Sequence, residues 1–190
     1  MSLAIVYTRA ALGIEAPLIT VEVHLSNGLP GLTMVGLPET TVKEARDRVR
    51  SALINSGYAF PAKKITINLA PADLPKEGGR YDLPIALALL VASEQLNTTR
   101  LNQYEFVGEL ALTGGLRGVP GAIPSAMEAI KAGRRIVVSS DNAAEVGLIG
   151  DQAIAAADQA DLSRIIRGDD DAPAGFDGFH CAGDRPWNAA

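Results

Sequence analysis

Near the start of the chain, residues 3–8 (LAIVYT) and 18–25 (LITVEVHL) alternate apolar and polar positions with the period of a half-buried strand. In the second stretch Val21 and Val23 fall on one face, Glu22 and His24 on the other. The turn-forming run SNGLPG separates it from a third predicted strand at residues 32–35. The period then lengthens to that of a helix beginning near Thr41. Thr41 and Glu44 stand at capping-box spacing, Val42, Ala45, Val49 and Leu53 form an apolar stripe, and Gly57 supplies the stop. Residues 63–70 (KKITINLA) read as the next strand.

That strand runs into a polar loop, PADLPKEGGRYD, and then into LPIALALLVA, a helical stretch with no polar face. Such a helix has to be buried on every side. Asp82 is its predicted N-cap, and Pro84 suits a first turn. Residues 104–119 (YEFVGELALTGGLRGV) predict two short strands joined through Gly114 and Gly115. A helix over 124–132 closes at Gly133, and residues 134–139 (RRIVVS) form a strand. Asp141 is the expected cap of a short helix in DNAAEVGLI, and residues 152–158 and 160–167 add a strand and a helix. Alternating strands and helices over residues 1–167 define an α/β domain, with no internal repeat.

Composition changes at Gly168. Residues 168–190 contain no Leu, Ile or Val, so they are expected to form a mobile acidic tail rather than a packed element. The break is what a truncated or frame-shifted gene would produce, with a genuine acidic tail as the plain alternative. The chain's net charge of −5 is largely that tail's, because its five aspartates and one arginine leave the body near neutral. Bulk charge therefore argues neither for nor against nucleic acid. The longest apolar run, residues 83–92, is too short to span a bilayer, and no basic start with a long apolar stretch marks a signal peptide. The single cysteine, Cys181, allows no internal disulfide and suits a cytoplasmic protein.

The candidate chemistry is defined first by what is missing. None of the five lysines follows a glycine, so the chain has no Walker A motif. His24 and His180 sit in no metal-ligand spacing, and no serine is flanked as GxSxG. Three loops remain. In the first, Lys76 and Arg80 could meet an anion or a partner's carboxylate at the helix N-terminus; the plainer reading has Asp82 cap the helix while Lys76, Glu77 and Arg80 pair on the surface. In the second, Lys43, Arg46 and Arg50 lie along one helical side, but interleaved acids favour a solvated face over a DNA-binding stripe. In the third, GGLRGVPGAIP with Arg117, the glycines need do no more than turn the chain.

Three segments, GLPGLTMVGLPETTVKEARDRVRSAL, KKITINLAPADLPKEGGRYDLPIALALL and YEFVGELALTGGLRGVPGAIPSAMEAIKAGRRIVV, resemble the N-terminal region of ComM- and YifB-type proteins. These belong to the magnesium-chelatase-like branch of AAA+ ATPases. The resemblance covers about residues 1–165. It implies a Lon-protease-like domain of the ribosomal protein S5 domain 2 type, with a small mixed sheet and packed helices. In the family an ATP- and magnesium-dependent motor follows, the proteins assemble as hexameric rings, and competence members are described as DNA helicases promoting branch migration. The present sequence ends where that motor would begin, so no cofactor is expected in this chain.

Lon-type peptidases carry a nucleophilic serine in a loop of the form PKDGPSAG and a lysine base in the helix after a GG turn. Laid on that pattern, LPKEGGRYDLPIA places Asp82, or within one register step Tyr81, at the serine. GVPGAIPSAMEA places Ala126 at the lysine, and Lys131 is the nearest lysine on that helix. Both halves of the dyad are missing. The resemblance thus implies a non-catalytic assembly or substrate-engagement domain, with Lys76, Arg80, Arg46, Arg50 and Arg117 as candidate partner or DNA contacts. A peptidase with an altered dyad and a stand-alone protein-binding adaptor are the alternatives.

Overall fold

The computed structural model describes residues 2–36, 44–96, 101–149 and 153–156. It is an α/β structure. Nine strands are formed among these residues: β1 (Ser2–Arg9), β2 (Leu18–Ser26), β3 (Gly31–Val35), β4 (Lys64–Ala70), β5 (Tyr104–Phe106), β6 (Glu109–Leu110), β7 (Leu116–Arg117), β8 (Arg135–Ser139) and β9 (Ala153–Ala156). Four helices accompany them: α1 (Ala45–Asn55), α2 (Asp82–Ala92), α3 (Ala122–Lys131) and the single turn α4 (Ala143–Val146).

Seven strands make one sheet in the order β3-β4-β2-β1-β5-β8-β9. It is larger than the small sheet expected. It is mixed because β2 alone runs against its neighbours, pairing antiparallel with β1 and β4; the other pairings are parallel. Alternation along β2 is strict, with Val21, Val23 and Leu25 buried and Glu22 and His24 half-buried on the opposite face. Register Val21↔Leu69 and Val23↔Ile67 carries the same apolar rows onto β4.

α2 lies across β1 and β2 and packs against α1, and ten of its eleven residues are buried. This matches the expectation drawn from its lack of a polar face. A second, smaller core forms on the other face of the sheet, where Ala122, Ala126 and Ala129 of α3 meet Ile136 and Val138 of β8. Val137, between them, points into the first core. β8 is therefore covered on both faces and the β1–β4 part on one, as the period-two rule requires.

Several boundaries and caps differ from expectation. α1 starts at Ala45, with Glu44 at its N-cap position making no side-chain cap bond. Thr41 and Val42 lie outside the described residues, as do the helix expected at 160–167 and the whole of 168–190. The segment 104–119 holds three strands rather than two. β5 joins the main sheet, while β6 and β7 form a separate two-stranded ribbon. All three residues of β5 are buried, so it lacks the alternation that would have separated it from its neighbours.

Asp82 does not cap α2. It is the first helical residue, and the Leu83 N–H donates instead to Gly108 O at 3.1 Å. Asp141 is displaced from its expected cap as well: the Ser139 hydroxyl accepts from the Asp141 N–H, leaving the Asp141 carboxylate to accept from Gly118 N–H at 3.1 Å. Both carboxylates serve distant backbone or side-chain donors that sequence spacing does not reveal.

The central position of α2 yields a direct expectation. Leu89→Ala, at a fully buried site, should lower stability by about 2–5 kcal/mol. Leu29→Ala, at a residue 89% exposed, should stay within about 0.5 kcal/mol. Urea unfolding of both variants checks the contrast.

Candidate functional site

The loop between β4 and α2 is pinned at several points. Gly108 N–H donates to Arg80 O at 3.2 Å, fastening the loop to the segment between β5 and β6. Gly79 lies so close to the Glu109 side chain that a Cβ there would overlap the carboxylate. Lys76 is buried, and its ammonium donates to the carbonyls of Pro71 and Leu74 within the same loop. Burial lowers its pKa from the ordinary lysine value, partly offset by Asp73. Lys76 is thus a staple of its own loop and is removed from the surface on which a partner contact was expected.

At the end of this loop three successive side chains take separate directions. Asp82 is fully buried and faces α1, where Arg48 holds it in a bidentate pair, Nε to Oδ2 at 2.7 Å and Nη2 to Oδ1 at 3.1 Å. Leu110 N–H adds a third donor at 3.3 Å. Burial nevertheless pushes the Asp82 carboxyl up to about 6, against the lowering effect of Arg48. Tyr81 is buried, its hydroxyl has no hydrogen-bond partner among the described residues, and burial pushes its pKa up to about 12.

Arg80 turns the other way, toward α3. Its Nη2 donates to Ser125 Oγ at 2.8 Å and its Nη1 to Pro120 O at 3.4 Å. It is only 4% exposed, so it neither pairs on the surface nor presents itself there to a partner. Burial lowers its pKa from the usual arginine value.

The two segments compared with the Lon dyad therefore do meet, but through other residues than the aligned pair. Asp82 points at α1, and Ala126 is buried in the core between α3 and β8. The side chains in contact are Arg80 and Ser125. Ser125 Oγ donates to Gly121 O at 2.8 Å while accepting from Arg80. Its proton is committed to a carbonyl, and the neighbouring guanidinium cannot act as a base. Lys131 sits at the end of α3, exposed and paired with Glu128 at 2.6 Å.

The remaining candidates are on the surface. Arg46 pairs with Asp47 at 3.2 Å, and Arg50 lies over the Phe60 ring at 4.9 Å. Both border a groove of about 430 Å³ beside β3, together with Lys63. Arg117 is separate, on the β6–β7 ribbon, 3.5 Å from Glu109. Among the described residues no three His, Cys, Asp or Glu side chains gather as a metal site, and no helix is long and apolar enough to cross a membrane.

Sequence reasoning missed a further polar cluster. Arg9 and Glu105 form a buried bidentate pair at 2.6 and 2.7 Å, joined by Arg134 at 3.2 Å. Arg9 also donates to Ala16 O and Glu128 O, both at 3.1 Å, tying the β1–β2 hairpin to α3. The charge of Glu105 between Tyr104 and Phe106 was the available signal, since a carboxylate in a buried strand requires a cation. Ser125 and Arg48 carried no comparable signal.

A seven-stranded, mostly parallel sheet flanked by helices makes this an α/β domain. The chain belongs to the family described as subunit ChlI of Mg-chelatase, whose pattern matches residues 21–142. It is 79% identical over 158 residues to the uncharacterized protein YifB of Salmonella typhimurium, covering 83% of this chain and 31% of that protein. It is 64% identical over 152 residues to competence protein ComM of Haemophilus influenzae, covering 80% and 30%. An uncharacterized protein of Mycobacterium tuberculosis is 37% identical over 150 residues, covering 78% and 30%. The chain spans about a third of the length of these relatives.

The Asp82 carboxyl sets a pH dependence with a definite sign. Raised to about 6 from an unperturbed 3.8, it adds stability that is full below about pH 3.8 and is lost as pH rises through 6. Asp82→Asn removes that titration. Its stability relative to the parent chain should improve by roughly 2–3 kcal/mol between pH 4 and pH 7, as read from urea midpoints at each pH. A decline over that range would mean that the Arg48 pair outweighs burial.

Proposed function

We propose that this chain is a non-catalytic assembly or substrate-engagement domain of a ring-forming, magnesium-chelatase-like ATPase. The observation that carries this reading is the Arg80–Ser125 contact. Where a Lon-type peptidase would join a serine loop to a lysine-bearing helix, this chain joins the same two segments through a guanidinium and a hydroxyl without a base. Family membership and the fraction of the relatives' length that is spanned support a role inside a larger protein. The name of the Haemophilus influenzae relative, a competence protein, supports DNA as what the assembly acts on.

In this reading ATP and magnesium serve the motor, outside the residues of this chain. The domain contributes surface: packing against neighbours in a hexameric ring, or lining the path of DNA in the cytoplasm. Arg46, Arg50 and Lys63 around one groove are the described basic groups best placed for phosphate contacts.

Two measurements test the proposal. Casein incubated with the chain at high concentration should stay intact, and Asp82→Ala should change nothing; cleavage abolished by that variant would establish the peptidase instead. DNA affinity, followed by fluorescence anisotropy, should fall with salt by about 0.9 log unit per log unit for each phosphate contact. The double variant Arg46→Ala, Arg50→Ala should reduce that slope by about two contacts' worth. Absent or salt-insensitive binding would remove DNA engagement and leave ring assembly.

A further inference from the structure

The tip of the β1–β2 hairpin holds an aliphatic side chain out in water. Leu12 and Glu15 exchange both backbone hydrogen bonds at 3.0 Å, which leaves Gly13 and Ile14 as a two-residue turn. Gly13 takes the positive φ, 61°, that a tight hairpin turn needs at its first position. Ile14, at the second, is 93% exposed, and Met127 of α3, which lines the same groove, is 45% exposed. The hairpin is tied down just behind this tip. Ala10 N–H donates to Pro17 O at 3.0 Å, and Arg9 reaches Ala16 O and Glu128 O at 3.1 Å. An apolar side chain presented on a fixed turn suits a contact with another surface, because little ordering cost is left to meet on binding.

Glu15, the next residue, is exposed and has no cation within ion-pair range among the described residues. At the other end of the sheet the charges are reversed. The groove of about 430 Å³ beside β3 has half-buried Leu32 and Pro61 in its lining and exposed Arg46, Arg50 and Lys63 around it. Arg46 is engaged by Asp47, whereas Arg50 lies over the Phe60 ring. Among the described residues neither Arg50 nor Lys63 pairs with a carboxylate. The hairpin tip thus offers an aliphatic group beside an unpaired acid, and the groove offers apolar lining beside unpaired cations. The two surfaces match in polarity and in charge.

They cannot meet within one copy. Register Arg9↔Leu18 puts the tip at one end of β2, and Ser26↔Lys64 puts the groove at the other. The nine residues of β2 separate them by about 27 Å. Tip against tip or groove against groove would oppose like charges. The match is therefore between different patches on two copies, a head-to-tail contact of the kind that closes into a ring or runs on as a filament.

We propose that the β1–β2 hairpin tip of one copy seats in the β3 groove of the next, with Ile14 against Leu32 and Pro61 and Glu15 against Lys63 and Arg50. The inference rests on the assembly arm of the proposed function and names the two surfaces by which neighbours meet. A groove filled in this way cannot also take phosphate.

The test is sedimentation velocity on the full chain, up to about 1 mM, with surface variants mixed in pairs. The parent's average mass should rise with concentration and pass the dimer without a plateau. Ile14→Asp alters the tip, and the double variant Arg50→Glu, Lys63→Glu alters the groove. Each should weaken association about thirtyfold or more. Their equimolar mixture should recover it and stop at a dimer, because one intact tip and one intact groove remain. Glu15→Lys should weaken association about tenfold, and Lys63→Glu in the same chain should restore it. A parent chain that stays monomeric overturns the proposal and returns the groove to DNA, whose salt-dependent binding is a separate measurement. Association that ignores Ile14→Asp, or a mixture of the two variants that stays monomeric, overturns it as well.

Discussion

The rest of the structure is arranged around a helix that cannot tolerate water on any side. α2 has ten buried residues of eleven, so the sheet must cover one flank while α1 and the β6 region cover others. The transfer of that apolar surface from water is the dominant local driving force. It also confines the preceding loop. A chain entering a helix that is enclosed on all sides has to pass between the covering elements, and its polar residues are carried inside with it.

That confinement explains why so many charges of the loop are buried. Asp82 is drawn to Arg48 on α1, and Arg80 to Ser125 on α3, while Lys76 turns back onto carbonyls of its own loop. Each finds hydrogen bonds, because a buried polar group without them is more costly than the bond is favourable. The exceptions, Arg80 Nε and the Tyr81 hydroxyl, occur side by side at the point where the loop enters α2. Among the described residues, local hydrogen bonding is thus incomplete at the loop laid on the Lon-type pattern, as it is at Thr8 Oγ1 on β1.

The periodic parts of the fold were legible in the sequence. Alternation in β2, the stripe of α1 and the enclosed character of α2 all follow from side-chain period and apolar content. Elements without a period were harder to read. β5 is buried on both faces and β6 and β7 have two residues each, so no repeat distinguishes them from a loop. The caps assigned to Asp82 and Asp141 failed for one reason: a carboxylate near a helix start accepts from whichever donor the tertiary fold brings closest. Among the basic candidates, Arg46, Arg50 and Arg117 lie on the surface as expected of contact residues, whereas Lys76 and Arg80 are buried.

By itself, then, the sequence determined the α/β class, the run of the main strands and helices, and the absence of a Walker A motif from its own residues. These depend on residue type and short-range spacing, which a linear chain displays directly. Only the tertiary structure decided that Arg80, forty-five positions away from Ser125, would touch it while Asp82 turned aside. It alone decided that Arg9 would bind Glu105 across ninety-six positions. Such pairings arise because burying α2 brings remote segments together, and nothing in local periodicity encodes which charges will then find each other.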